Sequence, residues 1–208
     1  MNDGISQQIL SKSKSVLSDG GIIIFPTETV YGLGADIFNE ESINRIYKIK
    51  GRDFNKPLAA HISSINQIEL ICDNVSDLFC KLAEKFLPGP LSIVVPNVNS
   101  KVPKIVTSGL NTIAIRYPDN DICRKIIDNF NFPLAATSAN VSGHTSPINF
   151  SNIEKEIIDE VDLAVDGGEC YYKMESTVIS IVSQPKILRQ GVLKKEDIEE
   201  VLNQKLNY

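Results

Sequence analysis

The chain has no tryptophan, two methionines and only two histidines, His61 and His144, among 208 residues. Its four cysteines, Cys72, Cys80, Cys123 and Cys170, are scattered with no CxxC pair. So few soft or imidazole ligands, so far apart, do not make a zinc site, and unpaired thiols read as reduced residues of a cytoplasmic protein. Long apolar runs are absent too. Stretches such as 22–25 and 93–95 fall far short of the ~20 residues that a membrane-spanning helix needs. Residues 1–20 are polar and lack an apolar centre of signal-peptide length, so a soluble cytoplasmic protein with no membrane partner is expected. A basic surplus is lacking as well: 21 Lys and Arg stand against 26 Asp and Glu, a net charge of -5. Coating a phosphate backbone draws on surplus Lys and Arg, so stable nucleic-acid binding is not expected. GxxxxGK[ST], GxSxG and HExxH are all missing. Their absence removes the phosphate-loop, nucleophile-elbow and zinc-protease classes, and two histidines without a supporting motif argue against a Ser–His or Cys–His hydrolase.

What is present suits one globular unit. The hydrophobic fraction is 42%, enough for one sizeable core, and the length suits a single domain over 1–208 with its core at about 8–194. Ile5, Ile9, Lys12 and Val16 recur at helical spacing up to Gly20-Gly21. Helices are also predicted over 39–50 (Asn39 as N-cap, Gly51 as stop), over 78–86, 121–130 and 195–206. Strands are predicted at 22–25, 58–62, 91–95, 112–117, 134–137, 164–165, 177–182 and 186–189. The class is α/β around a twisted mixed sheet, with strand order left open.

Six segments carry chemistry. Residues 26–34, PTETVYGLG, follow a buried strand and offer hydroxyls and backbone donors, although a tight polar turn has the same composition. The pair of glycines in GLGADI lacks the third glycine of a dinucleotide fingerprint and is not evidence for NAD. In KGRDFNKP at 50–57, Lys50 follows Ile43 by seven residues and so shares the apolar face of its helix. Lys50, Arg52 and Lys56 lie within seven residues and repel one another unless an anion joins them, which points to phosphate or carboxylate. In TIAIRYP at 112–118, Thr112 and Arg116 share one strand face, suited either to solvent or to clamping a carboxylate. The small and polar residues 135–143, AATSANVSG, with Ser146-Pro147, suit a nucleotide pocket or a capped turn. ESTV at 175–178 and ILRQG at 187–191 are weak alone.

Taken in order, these segments resemble the YrdC-like family of threonylcarbamoyl-AMP synthases. The carriers are PTETVYGLG, KGR with KPL, PGPLSIVV, IAIRYP, ATSANVSG with SP, ESTV and LRQG, which together span most of the chain. The resemblance implies a twisted mixed β-sheet with flanking helices around a large cationic cavity, in the short single-domain form. It implies a catalytic tetrad at Lys50, Arg52, Ser138 and Asn140. It implies ATP contacts at Arg52, Lys56, Thr112, Ser138, Ser146 and Arg189, and threonine contacts at Thr29, His61, Arg116, Ala136 and Ser176. The substrates would be L-threonine, bicarbonate and ATP, with Mg2+ carried by the nucleotide and no protein metal site. The product would pass to a tRNA threonylcarbamoyl-transferase complex acting on adenosine 37. Asp53 departs from the pattern, since many relatives place proline after the arginine. Two rivals remain: a carbamoyl-transfer domain of hydrogenase-maturation proteins, and a non-catalytic RNA-binding module.

Overall fold

The computed structural model describes residues 5–207. Along them run α1 (Gln7–Ser18), β1 (Ile23–Phe25), β2 (Gly32–Asp36), α2 (Glu40–Lys50), β3 (Ala59–His61), α3 (Asp77–Phe86), β4 (Leu91–Pro96) and β5 (Thr112–Arg116). There follow α4 (Asp121–Phe130), β6 (Leu134–Ser138), α5 (Lys155–Ile158), β7 (Leu163–Ala164), β8 (Thr177–Ser180), β9 (Lys186–Arg189) and α6 (Lys195–Leu202). The last helix stops at Leu202 rather than 206, because Asn203 turns left-handed at φ 50°. The nine strands form one sheet in the order β7-β1-β2-β6-β3-β5-β4-β8-β9. It is mixed: β1–β7, β3–β5 and β4–β8 are parallel and the other neighbouring pairs antiparallel. No helix among the described residues is long and apolar enough to cross a membrane.

β2 was not among the predicted strands, and its glycines weaken strand propensity. Tertiary packing requires glycine there instead. A Cβ on Gly32 would come within 2.7 Å of the Phe25 ring, and one on Gly34 within 3.0 Å of the Ala136 Cβ. The strand has small residues because a ring and a neighbouring strand already fill the space.

The two faces of the sheet are covered unequally. On one, Ile24, Leu33, Ala60, Ile93 and Ile115 pack with Ile43 and Tyr47 of α2, Phe79 and Leu82 of α3 and Ile198 of α6. On the other, Ile23, Phe25, Leu134 and Ala136 meet Leu10 and Leu17 of α1 and Ile126, Ile127 and Phe130 of α4. Beyond β6 this second face bears short side chains. Ala136, Ala59, Ala114 and Val94 sit side by side across β6, β3, β5 and β4. One pleat further on, His61, Arg116, Ser92, Val178 and Arg189 form the next row. Period-2 alternation puts both rows on the same surface, and the alanines leave it hollow.

Candidate active site

That hollow has a volume of about 470 Å³, within the ~300–1,000 Å³ usual for small-molecule sites. Its wall includes Thr29, Arg52, His61, Thr112, Arg116, Ala136, Ser138, Ser176 and Arg189, residues from segments scattered over the chain. A second hollow of about 620 Å³ includes Ser146 and shares Val30 and Glu175 with the first.

Two expected members of the cation cluster are placed elsewhere. Lys56 is exposed, and its contribution is a backbone one: its carbonyl oxygen accepts from Arg52 Nε at 2.9 Å and from the Tyr47 hydroxyl at 3.0 Å. Lys50 points inward, as helical spacing predicts, and is 1% exposed. Its Nζ lies behind the cavity wall. It donates to the carbonyl oxygens of Ser138 and Asn140, both at 2.5 Å, and to Asn140 Oδ1 at 3.2 Å. Ser138 Oγ donates to the same Oδ1 at 2.6 Å, and Asn140 Nδ2 donates to the Val141 and His144 carbonyls. Lys50, Ser138 and Asn140 thus form one network that fixes the turn after β6. α2 aims the lysine: the Asn39 side chain caps its start by accepting from Ser42 N–H, and Gly51, at φ 57°, ends it left-handed. Burial, and then the neighbouring Arg52, lower the Lys50 amine to about 7.

Arg52 uses Nε and Nη2 to hold the Lys56 and Pro57 carbonyls at 2.9 Å. Among the described residues it has no carboxylate partner, so its charge faces the hollow uncompensated. The other two arginines are already paired. Arg116 Nη2 donates to Glu28 Oε1 at 2.5 Å, with the two side chains only 2% and 4% exposed. Arg189 Nη1 lies 2.7 Å from Glu175 Oε2, at the half-exposed rim. Glu175 Oε1 also accepts from Ser146 Oγ at 2.6 Å, so one carboxylate bridges two residues expected to touch ATP. The cavity is therefore less cationic than its arginine count implies. Glu28 and Glu175 were not among the expected site residues. Their signal was present within PTETVYGLG and ESTV, but their arginine partners lie 88 and 14 residues away.

The expected threonine positions adjoin one another. The Thr29 hydroxyl lies 3.5 Å from Arg116 Nη2 and shares a 2.9 Å hydrogen bond with Thr27. Strand register sets His61 beside Arg116. Burial, reinforced by the Arg116 charge, depresses the imidazole to about 3, so His61 is neutral at physiological pH. Ser176 Oγ pairs with Ser92 Oγ at 2.9 Å and also accepts from Arg189 Nη2 at 3.2 Å. Ala136 gives floor rather than side-chain chemistry, and Thr112 lies at the far end of β5 from Arg116.

The family model Sua5_yciO_yrdC, described as telomere recombination, matches residues 15–191. The chain belongs to the Sua5/YciO/YrdC family. This Sua5/YciO/YrdC chain is 39% identical over 189 residues to a Pyrococcus abyssi protein named threonylcarbamoyl-AMP synthase, covering 90% of the chain and 55% of that protein. It is 38% identical over 194 residues to a putative threonylcarbamoyl-AMP synthase of Methanocaldococcus jannaschii, covering 93% of the chain and 90% of that protein. The crystal structure of P. abyssi Sua5 complexed with L-threonine superposes with a TM-score of 0.94 at 36% identity, over 98% of the chain and 60% of the other. The chain thus spans little more than half the length of the P. abyssi protein. The comparison with Sua5 bears out the α/β class, the mixed sheet and the flanking helices.

Proposed function

We propose that this chain catalyses threonylcarbamoyl-AMP synthesis: L-threonine, bicarbonate and ATP give L-threonylcarbamoyladenylate, pyrophosphate and water. The observation that carries this reading is a single hollow in which Arg52, Arg116 and Arg189 meet hydroxyls and a neutral imidazole. Its support from kinship is the synthase name of the relatives and the L-threonine complex of Sua5.

Dehydrated bicarbonate provides CO2, which the threonine amine captures to form a carbamate. The carbamate oxygen attacks the α-phosphate, the bond to the β-phosphate oxygen breaks, and pyrophosphate leaves with that electron pair. No protein nucleophile is required. The obstacle is electrostatic, since two like charges about 4 Å apart cost roughly 4 kcal/mol at an effective dielectric near 20. Arg116, Thr29, Ser176 and the neutral His61 are assigned to threonine. Arg52, Arg189, Ser138, Ser146 and Thr112 are assigned to the nucleotide, which spans the two hollows at Val30 and Glu175. Lys50 and Asn140 act through the turn that presents Ser138 rather than by touching phosphate. Magnesium would be carried in by the nucleotide and would shield the charge of its phosphates.

The product is a labile mixed anhydride, so its consumer is an acyl-type transferase, here the complex that modifies adenosine 37 of tRNA. Four unpaired thiols support a reducing, cytoplasmic setting. The test is pyrophosphate release with ATP, magnesium, threonine and bicarbonate, each omitted in turn. Release that persists without threonine refutes the reading. Activity on carbamoyl phosphate instead would favour the maturation-type reaction. Salt-sensitive RNA binding without turnover would favour the RNA module.

A further inference from the structure

We infer that Glu28 is a positioning residue, one that pins a single edge of the Arg116 guanidinium so that its remaining donors face the carboxylate of an amino-acid substrate. This rests on the synthase reading and names a residue through which the threonine subsite is built. Glu28 is absent from the cavity wall although its neighbours Thr27 and Thr29 both line it. Its carboxylate lies behind that wall, towards α4 and the segment before β8. There it pushes up two thiols in which burial is the leading cause, Cys123 and, at about 11, Cys170. Arg116 crosses from that buried side into the hollow. Nη2 is held by Glu28 Oε1 at 2.5 Å and touches Thr29 Oγ1 at 3.5 Å. Nη1 makes only a 3.5 Å contact, to the Leu91 carbonyl oxygen.

A guanidinium fork recognises a carboxylate through two parallel N–H donors, which demands a fixed plane. Arg116 is 2% exposed, and packing around its stem does not by itself set the rotation of the guanidinium plane, so the hydrogen bond from behind does so. The orientation depends on an acceptor oxygen at the right reach. Glu28 Oε2 is buried without a partner. Oε1 is therefore the oxygen that acts on Arg116, and any acceptor oxygen at that reach would hold the same edge of the guanidinium.

A plain counter-ion role would show only in stability. The test is calorimetric binding of L-threonine, with ATP binding and melting temperature as controls, for the wild type, Glu28→Ala, Glu28→Asp and Glu28→Gln. Glu28→Ala removes the acceptor, and Glu28→Asp retracts it by one methylene while keeping the charge. Both are expected to weaken threonine binding by about tenfold or more, the loss of one hydrogen bond to a charged group, with ATP binding unchanged. Glu28→Gln keeps an oxygen in place and is expected to rescue threonine binding to near the wild-type value. In an Arg116→Met background, Glu28→Asp is expected to have no further effect. Wild-type threonine affinity in Glu28→Asp, or an equal loss with and without Arg116, overturns the inference. Glu28→Asp carries the test even where Glu28→Ala does not fold. A wild type that fails to bind threonine at all would instead overturn the synthase reading.

Discussion

Replacing Lys50 by methionine tests how the turn after β6 is held. Methionine approximates the unbranched apolar stem of lysine, ends one atom short of Nζ and takes no proton. The wild-type amine is 1% exposed and lowered by burial from 10.5 to about 7. Below pH 7 both folded and unfolded chains carry the proton, and the buried charge is a standing cost. Between about 7 and 10.5 the unfolded chain keeps a proton that the folded chain has released. Stability therefore rises with pH across that window, by roughly 3–5 kcal/mol in total at ~1.36 kcal/mol per unit. The assay is urea denaturation of both proteins from pH 6 to 10. Taking the difference cancels the thiols and tyrosines common to both. The wild type is expected to gain on Lys50→Met steadily from pH 7. A flat difference would refute the reasoning. It would mean that the three oxygens around Nζ, which match the three N–H groups of an ammonium, keep the proton on.

Arg52→Ala is expected to leave the melting temperature within a few degrees and to cut threonine-dependent pyrophosphate release by roughly 100-fold or more, the scale for losing a preorganised charge. Glu175→Gln removes the carboxylate bridging Arg189 and Ser146, and is expected to tighten ATP binding by roughly two- to fivefold at low salt, the scale of a half-exposed ion pair. That gain should vanish at 1 M salt, and weaker binding on calorimetry would show that Glu175 helps the nucleotide instead. Arg116→Ala is expected to weaken threonine binding and also to destabilise the fold by about 3–5 kcal/mol, because Glu28 is left buried and unpaired. An unchanged denaturation midpoint would refute the burial argument.

Most helices and strands were legible because their signals are local: an asparagine cap before 40, a glycine after 50, branched runs at 91–95 and 112–116. β2 was not legible, because its glycines answer to the Phe25 ring, a contact made only once β1 and β2 pair. The inward aim of Lys50 followed from its distance to Ile43. Two of its three acceptors are backbone oxygens 88 and 90 residues away, which no side-chain pattern announces. Composition marks the Lys56 charge but not the use the turn makes of its carbonyl, which accepts from Arg52 while the side chain is exposed.

The site's sign of charge was the least legible property, and the reason is physical. A run of sequence reveals which cations lie near a motif but not which carboxylates fold against them. Arg116 and Arg189 each meet a glutamate brought from another segment, so of the three arginines Arg52 alone lacks a carboxylate partner among the described residues. The two pairs are not equivalent. Glu175 is 37% exposed and shares its oxygens with a serine, so an incoming phosphate competes with it at little cost. Glu28 is 4% exposed, and no solvent stands ready to take its charge, so it stays while the ligand binds. One carboxylate is thus placed to yield to a ligand and the other to hold an arginine for it. The two ion pairs order Arg116 and Arg189, and on the synthase reading Arg52 is the cation left to meet a polyphosphate.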